Sequence, residues 1–283
     1  MDGLEPRYED VQAHYDLSNE FFALFLDPSM TYSCAYFERD DMTLEEAQRA
    51  KVDLALGKLD LQPGQRLLDV GCGWGATVRR AVESHDVSAV GLTLSRNQVA
   101  FASHLLRDTP RAEIRLQGWE EFDEPVDRIV SIGAFEHFRH KRYGEFFTRC
   151  RSILPKGGRM LLHTIVQQDP DVLKARGLRL EREDMLFTIF IRKRIFPGGQ
   201  LCPARLVADE ARAAGFKIAR QHSLQMHYAR TLNCWATALE AAKERAIALT
   251  SQEVYDTYQR YLKGCEFYFR NGKLDLVQFT LER

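Results

Sequence analysis

The chain has 283 residues, and 45% of them are hydrophobic, which is enough to bury the core of one large domain. Lys and Arg total 39 against 40 for Asp and Glu, so the formal net charge is -1 and no basic field attracts phosphate backbones. This balance argues against nucleic acid as a partner, and no apolar run approaches the ~20 residues that span a bilayer.

The cysteines and the amino terminus indicate the compartment. The six cysteines are dispersed, and none belongs to a CxxC pair of the kind that binds zinc or cycles as a dithiol. The amino-terminal stretch, MDGLEPRYEDVQAHYDLSNEFF, lacks the basic flank and apolar run of a secretory signal. We therefore expect a cytoplasmic protein with reduced thiols, which meets any membrane surface transiently and from the water side.

Residues 1–61 are predicted to form a largely helical cap. Within it, the string Thr43-Leu44-Glu45-Glu46 resembles a capping box, in which the Thr hydroxyl and the Glu carboxylate satisfy backbone N–H groups at a helix start. The pattern predicts a helix that continues to Leu59.

Short apolar segments alternate with helical patterns through the middle of the chain, which is typical of a doubly wound α/β fold with helices on both faces of a parallel sheet. Five strands are predicted there, at 66–70, 87–92, 112–116, 127–132 and 159–165. Segments 216–224 and 276–281 complete a mostly parallel seven-stranded sheet. Asn271-Gly272 precedes the last segment and favours a hairpin partner for it.

We predict a single domain over 1–283 with four parts. The cap at 1–61 is followed by a cofactor-binding core at 62–165 and an Arg-rich insertion at 166–200, and residues 201–283 complete the sheet. Ligands of doubly wound folds bind outside the carboxyl ends of the strands. The insertion leaves the fifth strand at that edge, so we expect it to cover the pocket as a lid.

A glycine-rich turn follows the first predicted strand, in the string LLDVGCGWG. Its glycines allow the backbone to approach a ligand beside the N–H groups that begin a helix. The spacing is G-x-G-x-G, whereas the dinucleotide fingerprint is G-x-G-x-x-G, and no phosphate-binding lysine follows. After the second strand, where a dinucleotide site has an acidic residue for the ribose, the chain has GLTLSRNQ with the neutral Gln98. These departures argue against NAD.

Several strings together resemble the mycolic acid cyclopropane synthases, which are cyclopropane fatty acid synthases of the class I S-adenosylmethionine-dependent methyltransferase type. The similarity runs from about Tyr15 to the carboxyl terminus and is carried by YDLSNEFFALFLDPSMTYSCAYF, TLEEAQRAK, LLDVGCGWG, GLTLSRNQ, IVSIGAFEHF, IFPGGQ, HYARTLNCW and YLKGCEFYFR. The resemblance implies a Rossmann-like fold and transfer of a methyl group from S-adenosylmethionine to a cis double bond of a long acyl chain.

By motif correspondence, the resemblance assigns the cofactor site to four segments. Asp69 would orient the glycine turn, and Trp119 and Glu120, after the third strand, would stack on and hydrogen-bond the adenine. The implied contacts with S-adenosylmethionine are Tyr32, Ser33, Leu67, Leu68, Asp69, Val70, Gly71, Cys72, Gly73, Trp74, Gly75, Thr93, Leu94, Ser95, Arg96, Asn97, Gln98, Trp119 and Glu120.

The resemblance also implies that a bound bicarbonate is the base for ring closure. The backbone of Cys34 and Ile132 and the side chains of Glu136, His163 and Tyr228 would hold it. Glu136 and His163 lie at the ends of neighbouring predicted strands, so both reach the carboxyl edge of the sheet. Further residues are implied for the same pocket: Cys265, as a thiol sensitive to modification, and aromatic rings against the developing cation, chosen from Tyr15, Tyr32, Phe135, Phe138, Tyr261, Tyr268 and Phe269.

The implied substrate is a long-chain unsaturated acyl group on an acyl carrier protein. Basic residues in or near the predicted lid are candidates for docking that carrier, and a solvated helical face explains them equally well: Arg176, Arg179, Arg182, Arg192, Lys193 and Arg194. Three outcomes stay open here. They are cyclopropanation, methylation of an acyl or small-molecule alkene to a branched or hydroxylated product, and cofactor binding without catalysis.

Overall fold

A seven-stranded sheet forms the centre of the protein in the computed structural model, which describes residues 17–283. The strands are β1 at Arg66–Val70, β2 at Ser88–Thr93, β3 at Ala112–Leu116, β4 at Arg128–Ile132, β5 at Arg159–Gln167, β6 at Lys217–Ser223 and β7 at Leu274–Glu282. Their order is β3-β2-β1-β4-β5-β7-β6. The first five are parallel, and β7 runs antiparallel to both β5 and β6. This confirms the predicted α/β class.

Eleven α-helices are found among the described residues, with two short 3-10 turns at Phe135–His137 and His140–Arg142. The helices are α1 at Asn19–Phe22, α2 at Leu44–Gly57, α3 at Ala76–His85, α4 at Arg96–Leu105, α5 at Tyr143–Ile153, α6 at Pro170–Ala175, α7 at Arg182–Arg194, α8 at Ala204–Ala213, α9 at Gln225–Ala241, α10 at Lys243–Leu249 and α11 at Gln252–Arg270.

The predicted capping box begins α2. Thr43 accepts a hydrogen bond from the backbone N–H of Glu46, whose carboxylate accepts one from the backbone N–H of Thr43 at 2.8 Å. The helix ends at Gly57, two residues before the predicted end. Residues 1–16 of the predicted cap, including Tyr15, lie outside the described part of the chain.

The predicted hairpin at Asn271-Gly272 is wrong. Asn271 is the C-cap of α11, and Gly272, at φ 78°, turns the chain from that helix into β7. Three helices separate β6 from β7 along the chain, although the two strands are neighbours in the sheet. An Asn-Gly pair can end a helix, with the glycine in the left-handed conformation, or form the turn of a hairpin. The local sequence does not distinguish the two cases.

The parallel strands are buried on both faces because helices cover each side. Leu68 and Leu162 pack with Phe147 of α5 and Ala208 of α8 on one face. Their neighbours in the chain, Leu67 and Leu161, point to the other face and pack with α2 and α3. This alternation follows from the two-residue period of a strand, and it leaves the carboxyl ends of the strands for function.

A third cluster is aromatic and holds the amino-terminal segment against α9 and α11. The ring of Phe22 lies 5.4 Å from that of Trp74, and the ring of Phe25 lies 6.3 Å from that of Trp235. Tyr32 is 5.3 Å from Trp235, also measured between ring centroids. The irregular residues 23–43 are thereby fixed above the sheet edge.

Candidate active site

A cavity of about 110 Å³ lies at the carboxyl ends of β1, β2 and β4. The glycine turn after β1 forms one wall, and Gly71 there has a φ of 83°. A Cβ atom at Gly71 would lie 2.3 Å from the Cβ atom of Ala134 in the turn after β4, so only glycine fits. Among the predicted cofactor residues, those that line the cavity are Val70, Gly71, Gly73, Thr93, Leu94, Gln98, Trp119 and Glu120.

Gln98 faces this cavity, although its place in the first turn of a helix would also suit a side chain in water. Only 3% of its surface is exposed, and its Oε1 accepts a hydrogen bond of 2.6 Å from the hydroxyl of Thr93. Ser95 caps α4 by accepting from the backbone N–H of Gln98. The amide N–H groups of Gln98 remain to donate to a ligand.

Glu120 and Trp119 are held by an arginine that the sequence analysis did not identify. Arg142 donates to Glu120 Oε1 at 2.8 Å, and its guanidinium carbon lies 4.9 Å from the centroid of the Trp119 ring. Burial raises the pKa of Glu120, although its backbone hydrogen bond and Arg142 oppose the shift. Glu120 Oε2 is buried without a hydrogen-bond partner in the described structure, so this carboxylate has one oxygen for a ligand.

The other predicted cofactor residues do not line this cavity. Trp74 and Asn97 each donate a hydrogen bond of 2.8 Å to Asn19 Oδ1. These bonds connect the glycine turn and the GLTLSRNQ segment to α1. Leu67 and Leu68 are core residues of β1, and Cys72 packs against Gly91. Asp69 is buried, Gly75 and Ser95 are helix N-caps, and Arg96 is exposed.

Tyr32 and Ser33 line a second, larger cavity and are positioned by α2. Lys51 Nζ donates to Ser33 Oγ at 2.8 Å, and Gln48 Nε2 donates to the carbonyl oxygens of Thr31 and Ser33. Lys51 is 1% exposed, and burial lowers its pKa to about 8. Gln48 and Lys51 lie on the buried face of α2 and belong to the string TLEEAQRAK, but neither was assigned a role from the sequence.

The second cavity has a volume of about 830 Å³ and meets the first at Gly133 and His137, which line both. Apolar and aromatic side chains form much of its wall, including Leu173, Leu232 and Phe269. Both helices of the predicted lid contribute to it, through residues between Pro170 and Arg192. Its shape and lining suit a long apolar molecule.

Five of the six predicted catalytic residues are brought together at this second cavity: Cys34, Glu136, His163, Tyr228 and Cys265. Ile132 is the exception, because its side chain packs with the cluster under α2 and α3. Its backbone is nevertheless close, since Ile132 pairs with His163 in the sheet and the next N–H, that of Gly133, donates to the carbonyl of His163 at 2.9 Å.

Two buried polar atoms in this cluster lack hydrogen-bond partners among the described residues: Glu136 Oε2 and His163 Nε2. The other atoms of both groups are paired, since Glu136 Oε1 accepts from the backbone N–H of Ile165 at 2.6 Å and His163 Nδ1 lies 3.1 Å from Gln278 Nε2. Because an orphaned buried polar group is costly, this pair of atoms fits a small polar ligand in the cavity.

Burial determines the protonation of the cluster. It raises the pKa of Glu136 and lowers that of His163 well below its ordinary value, with help from Lys51 and Lys58. It also raises the pKa of Tyr228 and of the Cys265 thiol. A neutral imidazole, a phenol and a thiol therefore surround the ligand position, and the thiol of Cys265 is no ready nucleophile.

The described residues contain no helix that is long and apolar enough to cross a membrane. Within the same range, no group of His, Cys, Asp and Glu side chains is placed to bind a metal ion.

The order of the strands, the reversed β7 and the glycine turn beside a cavity at the carboxyl ends of the strands define a class I S-adenosylmethionine-dependent methyltransferase. More narrowly, the model of the mycolic acid cyclopropane synthetase family matches residues 3–279, and the chain belongs to that family. Cyclopropane mycolic acid synthase 3 of Mycobacterium tuberculosis is 59% identical over 283 residues, covering 99% of each chain.

Two solved structures are similar over nearly the whole chain. The cyclopropane synthase MmaA2 from Mycobacterium tuberculosis superposes with a TM-score of 0.97 at 56% identity, covering 98% of this chain and 99% of that one. The mycolic acid cyclopropane synthase CmaA1, solved in complex with SAH and CTAB, superposes with a TM-score of 0.95 at 56% identity, covering 99% of each.

Proposed function

We propose that the protein transfers a methyl group from S-adenosylmethionine to a cis double bond of a long acyl chain and then closes a cyclopropane ring. The observation that carries this proposal is the junction of the two cavities at Gly133 and His137. A donor in the smaller cavity and an alkene in the larger one would meet there. The names of the 59% and 56% identical relatives support the same reaction.

S-adenosylmethionine, which supplies an electrophilic methyl group, would occupy the smaller cavity. The backbone of Gly71 and Gly73 would approach its amino acid part, and Gln98 would donate to the ribose. Trp119 and Glu120, held by Arg142, would bind the adenine. Tyr32 and Ser33 would contact the cofactor from the larger cavity.

The acyl chain would occupy the larger cavity. An alkene is a weak nucleophile, so alignment of its π bond and exclusion of water are the main tasks of the protein. We propose that residues 166–200 exclude water as a lid, since α6 and α7 contribute to the cavity wall. Methyl addition leaves a positive charge on the neighbouring carbon, and the aromatic rings of Tyr261, Tyr268 and Phe269 line the same space.

Ring closure requires loss of a proton from the new methyl group, and we propose bicarbonate as the acceptor. Glu136, His163 and Tyr228, with the backbone of Cys34 and Ile132, would hold it; when bound, it supplies a basic oxygen. The unpartnered Glu136 Oε2 and His163 Nε2 support this assignment. Burial raises the pKa of Glu136, and a shared proton between this carboxyl group and the anion would relieve their repulsion.

The reaction is tested by incubating the protein with labelled S-adenosylmethionine and unsaturated acyl carriers. Nuclear magnetic resonance identifies the ring, because a methyl-branched alkene formed from the same cation by loss of a different proton has the same mass, whereas a hydroxylated product is one water molecule heavier and is separated by mass spectrometry. Glu136→Gln is expected to lower the rate of ring formation by about 100-fold, while Glu183→Gln, on the exposed face of α7, leaves it unchanged. A hydroxylated or branched product from the wild type would overturn the ring-closing assignment and establish the alternative product.

We further propose that the substrate arrives on an acyl carrier protein, which is acidic. Arg179, Arg182, Arg192 and Lys193 of the predicted lid are exposed, and Arg182 and Arg192 also line the larger cavity. Opposite charges across such a surface steer association and fix orientation.

The docking test replaces Arg192, Lys193 and Arg194 with Glu. The expected result is a higher KM for a carrier-bound substrate with the KM for S-adenosylmethionine unchanged. The matched control replaces Arg79, Arg107 and Lys217 with Glu, because these three residues are exposed and lie outside the lid segment. An unchanged KM for the carrier-bound substrate would remove the proposal, and a loss of binding to anionic phospholipid vesicles alone would assign the surface to a membrane.

A cytoplasmic location completes the proposal. All six cysteines lie within the described residues and are free thiols, which is the usual state in a reducing compartment. Cell fractionation with an antibody to the chain tests it, and recovery outside the cytoplasm would contradict it.

A further inference from the structure

We propose that Lys58 and Gln278 are positioning residues that hold His163 in one tautomer, with the proton on Nε2 facing the catalytic cavity. The inference deepens the proposed function, on which it rests, because the anion in that cavity is the expected partner of the Nε2–H group.

His163, Gln278 and His222 form a row across three antiparallel strands. Gln278 of β7 is directly opposite His163 of β5 and His222 of β6. Directly opposed residues point to the same face of a sheet, so the three side chains lie side by side. His163 and Gln278 are both 0% exposed. Their hydrogen bonds are therefore made without competition from bulk water.

Lys58, the C-cap residue of α2, contacts two members of this row. Its Nζ donates to Gln278 Oε1 at 2.5 Å and to His222 Nδ1 at 2.9 Å. On its other side, Gln278 Nε2 lies 3.1 Å from His163 Nδ1. A continuous chain of hydrogen bonds thus runs from the half-buried Lys58 to the imidazole in the cavity.

Donor and acceptor chemistry determines the direction of this chain. An ammonium group has three donors and no acceptor, so the group that faces Lys58 must be the carbonyl oxygen of the Gln278 amide. The NH2 end of that amide then faces His163 and donates, which requires a lone pair on Nδ1. A neutral imidazole carries one N–H, and it must be on Nε2.

The charge state of each group agrees with this direction. Burial, Lys51 and Lys58 lower the pKa of His163, so its ring is neutral. Burial and Arg220 lower the pKa of Lys58 to about 8, which leaves it mainly charged at neutral pH. Burial, Lys58, Arg220 and His227 lower the pKa of His222 to about 4, so its Nδ1 accepts from Lys58.

The consequence for function is a donor in a defined place. His163 Nε2 is buried, lines the larger cavity and has no hydrogen-bond partner among residues 17–283. As Nε2–H it attracts an anion, whereas the opposite tautomer would turn a lone pair toward that anion and repel it. Lys58 would therefore influence the catalytic cavity through Gln278, without touching the substrate.

The test is a nuclear magnetic resonance measurement of the His163 tautomer in the full chain labelled with 15N-histidine, with the His163 signals assigned by their loss in His163→Gln. The expected wild-type result is an unprotonated Nδ1 and a protonated Nε2. Gln278→Glu replaces the amide with a carboxylate, which presents an acceptor oxygen to His163 as well as to Lys58. His163 Nδ1 must then donate, so it is expected to become protonated. Gln221→Glu, exposed and next to His222 on β6, is the matched control and should not change the His163 signals.

A second pair of variants addresses Lys58. Lys58→Met removes the donor that orients the amide and is expected to give a mixture of tautomers, while Lys58→Arg, another residue that only donates, keeps the wild-type form. In turnover, Gln278→Glu and Lys58→Met are expected to lower kcat by about 10- to 100-fold, with the KM for S-adenosylmethionine unchanged.

A wild-type His163 protonated on Nδ1, or a Gln278→Glu protein whose Nδ1 stays unprotonated, would overturn the proposal. If Gln278→Glu does not fold, the wild-type spectrum and the two Lys58 variants still decide. The tautomer is measured without substrate, so a wild-type enzyme that forms a branched product would refute the proposed function and leave this inference standing.

Discussion

Lys51 and Ser33 are joined inside the protein, where Lys51 Nζ donates to Ser33 Oγ at 2.8 Å and the two residues are only 1% and 7% exposed. The hydrogen bond connects α2 to the segment that carries Tyr32 and Cys34 into the larger cavity. Lys51, which closes the string TLEEAQRAK but was assigned no role from it, thereby positions part of the active site.

Lys51→Met tests this connection. Loss of a hydrogen bond from a charged donor is expected to weaken S-adenosylmethionine binding by about 10-fold, measured by calorimetry. Lys156→Met, in an exposed turn, is the control for removing a lysine charge. Equal cofactor affinity in the Lys51→Met and Lys156→Met proteins would show that the Ser33 segment keeps its place without Lys51.

The pH dependence of stability is expected to reveal Asp69. Burial raises its pKa from 3.8 to about 7, against the opposing effect of Lys51. The folded state then holds a proton that the unfolded state has lost, so this contribution is present at low pH and is lost as the pH rises through that window. Without cofactor, wild type should lose about 2–4 kcal/mol relative to Asp69→Asn between about pH 4 and pH 8.

Urea unfolding across that pH range measures the difference. Asp123→Asn, at an exposed position in the loop between β3 and β4, should follow the wild-type curve. Parallel curves for wild type and Asp69→Asn would mean that Asp69 is charged in the folded protein at acidic pH.

Glu120→Gln is expected to weaken cofactor binding through Arg142. The change removes the charge that holds the guanidinium 4.9 Å from the Trp119 ring, and we expect an affinity for S-adenosylmethionine about 10-fold lower. Glu145→Gln is a close control, because Glu145 is the exposed second partner of Arg142, at 3.3 Å. If both variants weaken binding equally, Glu120 has no special part in the site.

Gly264→Ala is expected to move the predicted lid. A Cβ atom at Gly264 of α11 would lie 2.3 Å from the Phe187 ring of α7, so that ring must shift. We expect faster proteolysis of residues 166–200 and a higher KM for the acyl substrate. Gly57→Ala, also helical but with no atom within 4 Å of the added carbon, should instead raise the free energy of unfolding by about 0.5–1 kcal/mol. An unchanged acyl KM in Gly264→Ala would contradict a role for Phe187 in holding the lid.

The sheet and its functional edge were predictable from the sequence because the signals are local. Periodicity marked every strand to within two residues at each end, and the Thr43 capping box marked the start of α2. The rule that ligands bind at the carboxyl ends of parallel strands brought Glu136 and His163 to one edge before any contact was known.

The partners of those residues depended on contacts between distant parts of the chain. Gln278 lies 115 residues from His163, and Lys58 lies 220 residues from Gln278, so no local pattern connects them. Arg142 was missed because its contact with Glu120 is also made only in the folded chain, and Lys51, although part of the string TLEEAQRAK, showed no role until its hydrogen bond to Ser33 was seen.

The sequence by itself determined the class of fold and the glycine turn, since these follow from short-range periodicity and motif spacing. The acid, imidazole and phenol groups of the site were implied by the resemblance of its motifs to the cyclopropane synthases. Tertiary structure alone decided which atoms are buried, which are hydrogen-bonded and which remain for a ligand. The physical reason is that desolvation and hydrogen-bond direction depend on neighbours, and the fold brings those neighbours together from segments that are far apart in the chain.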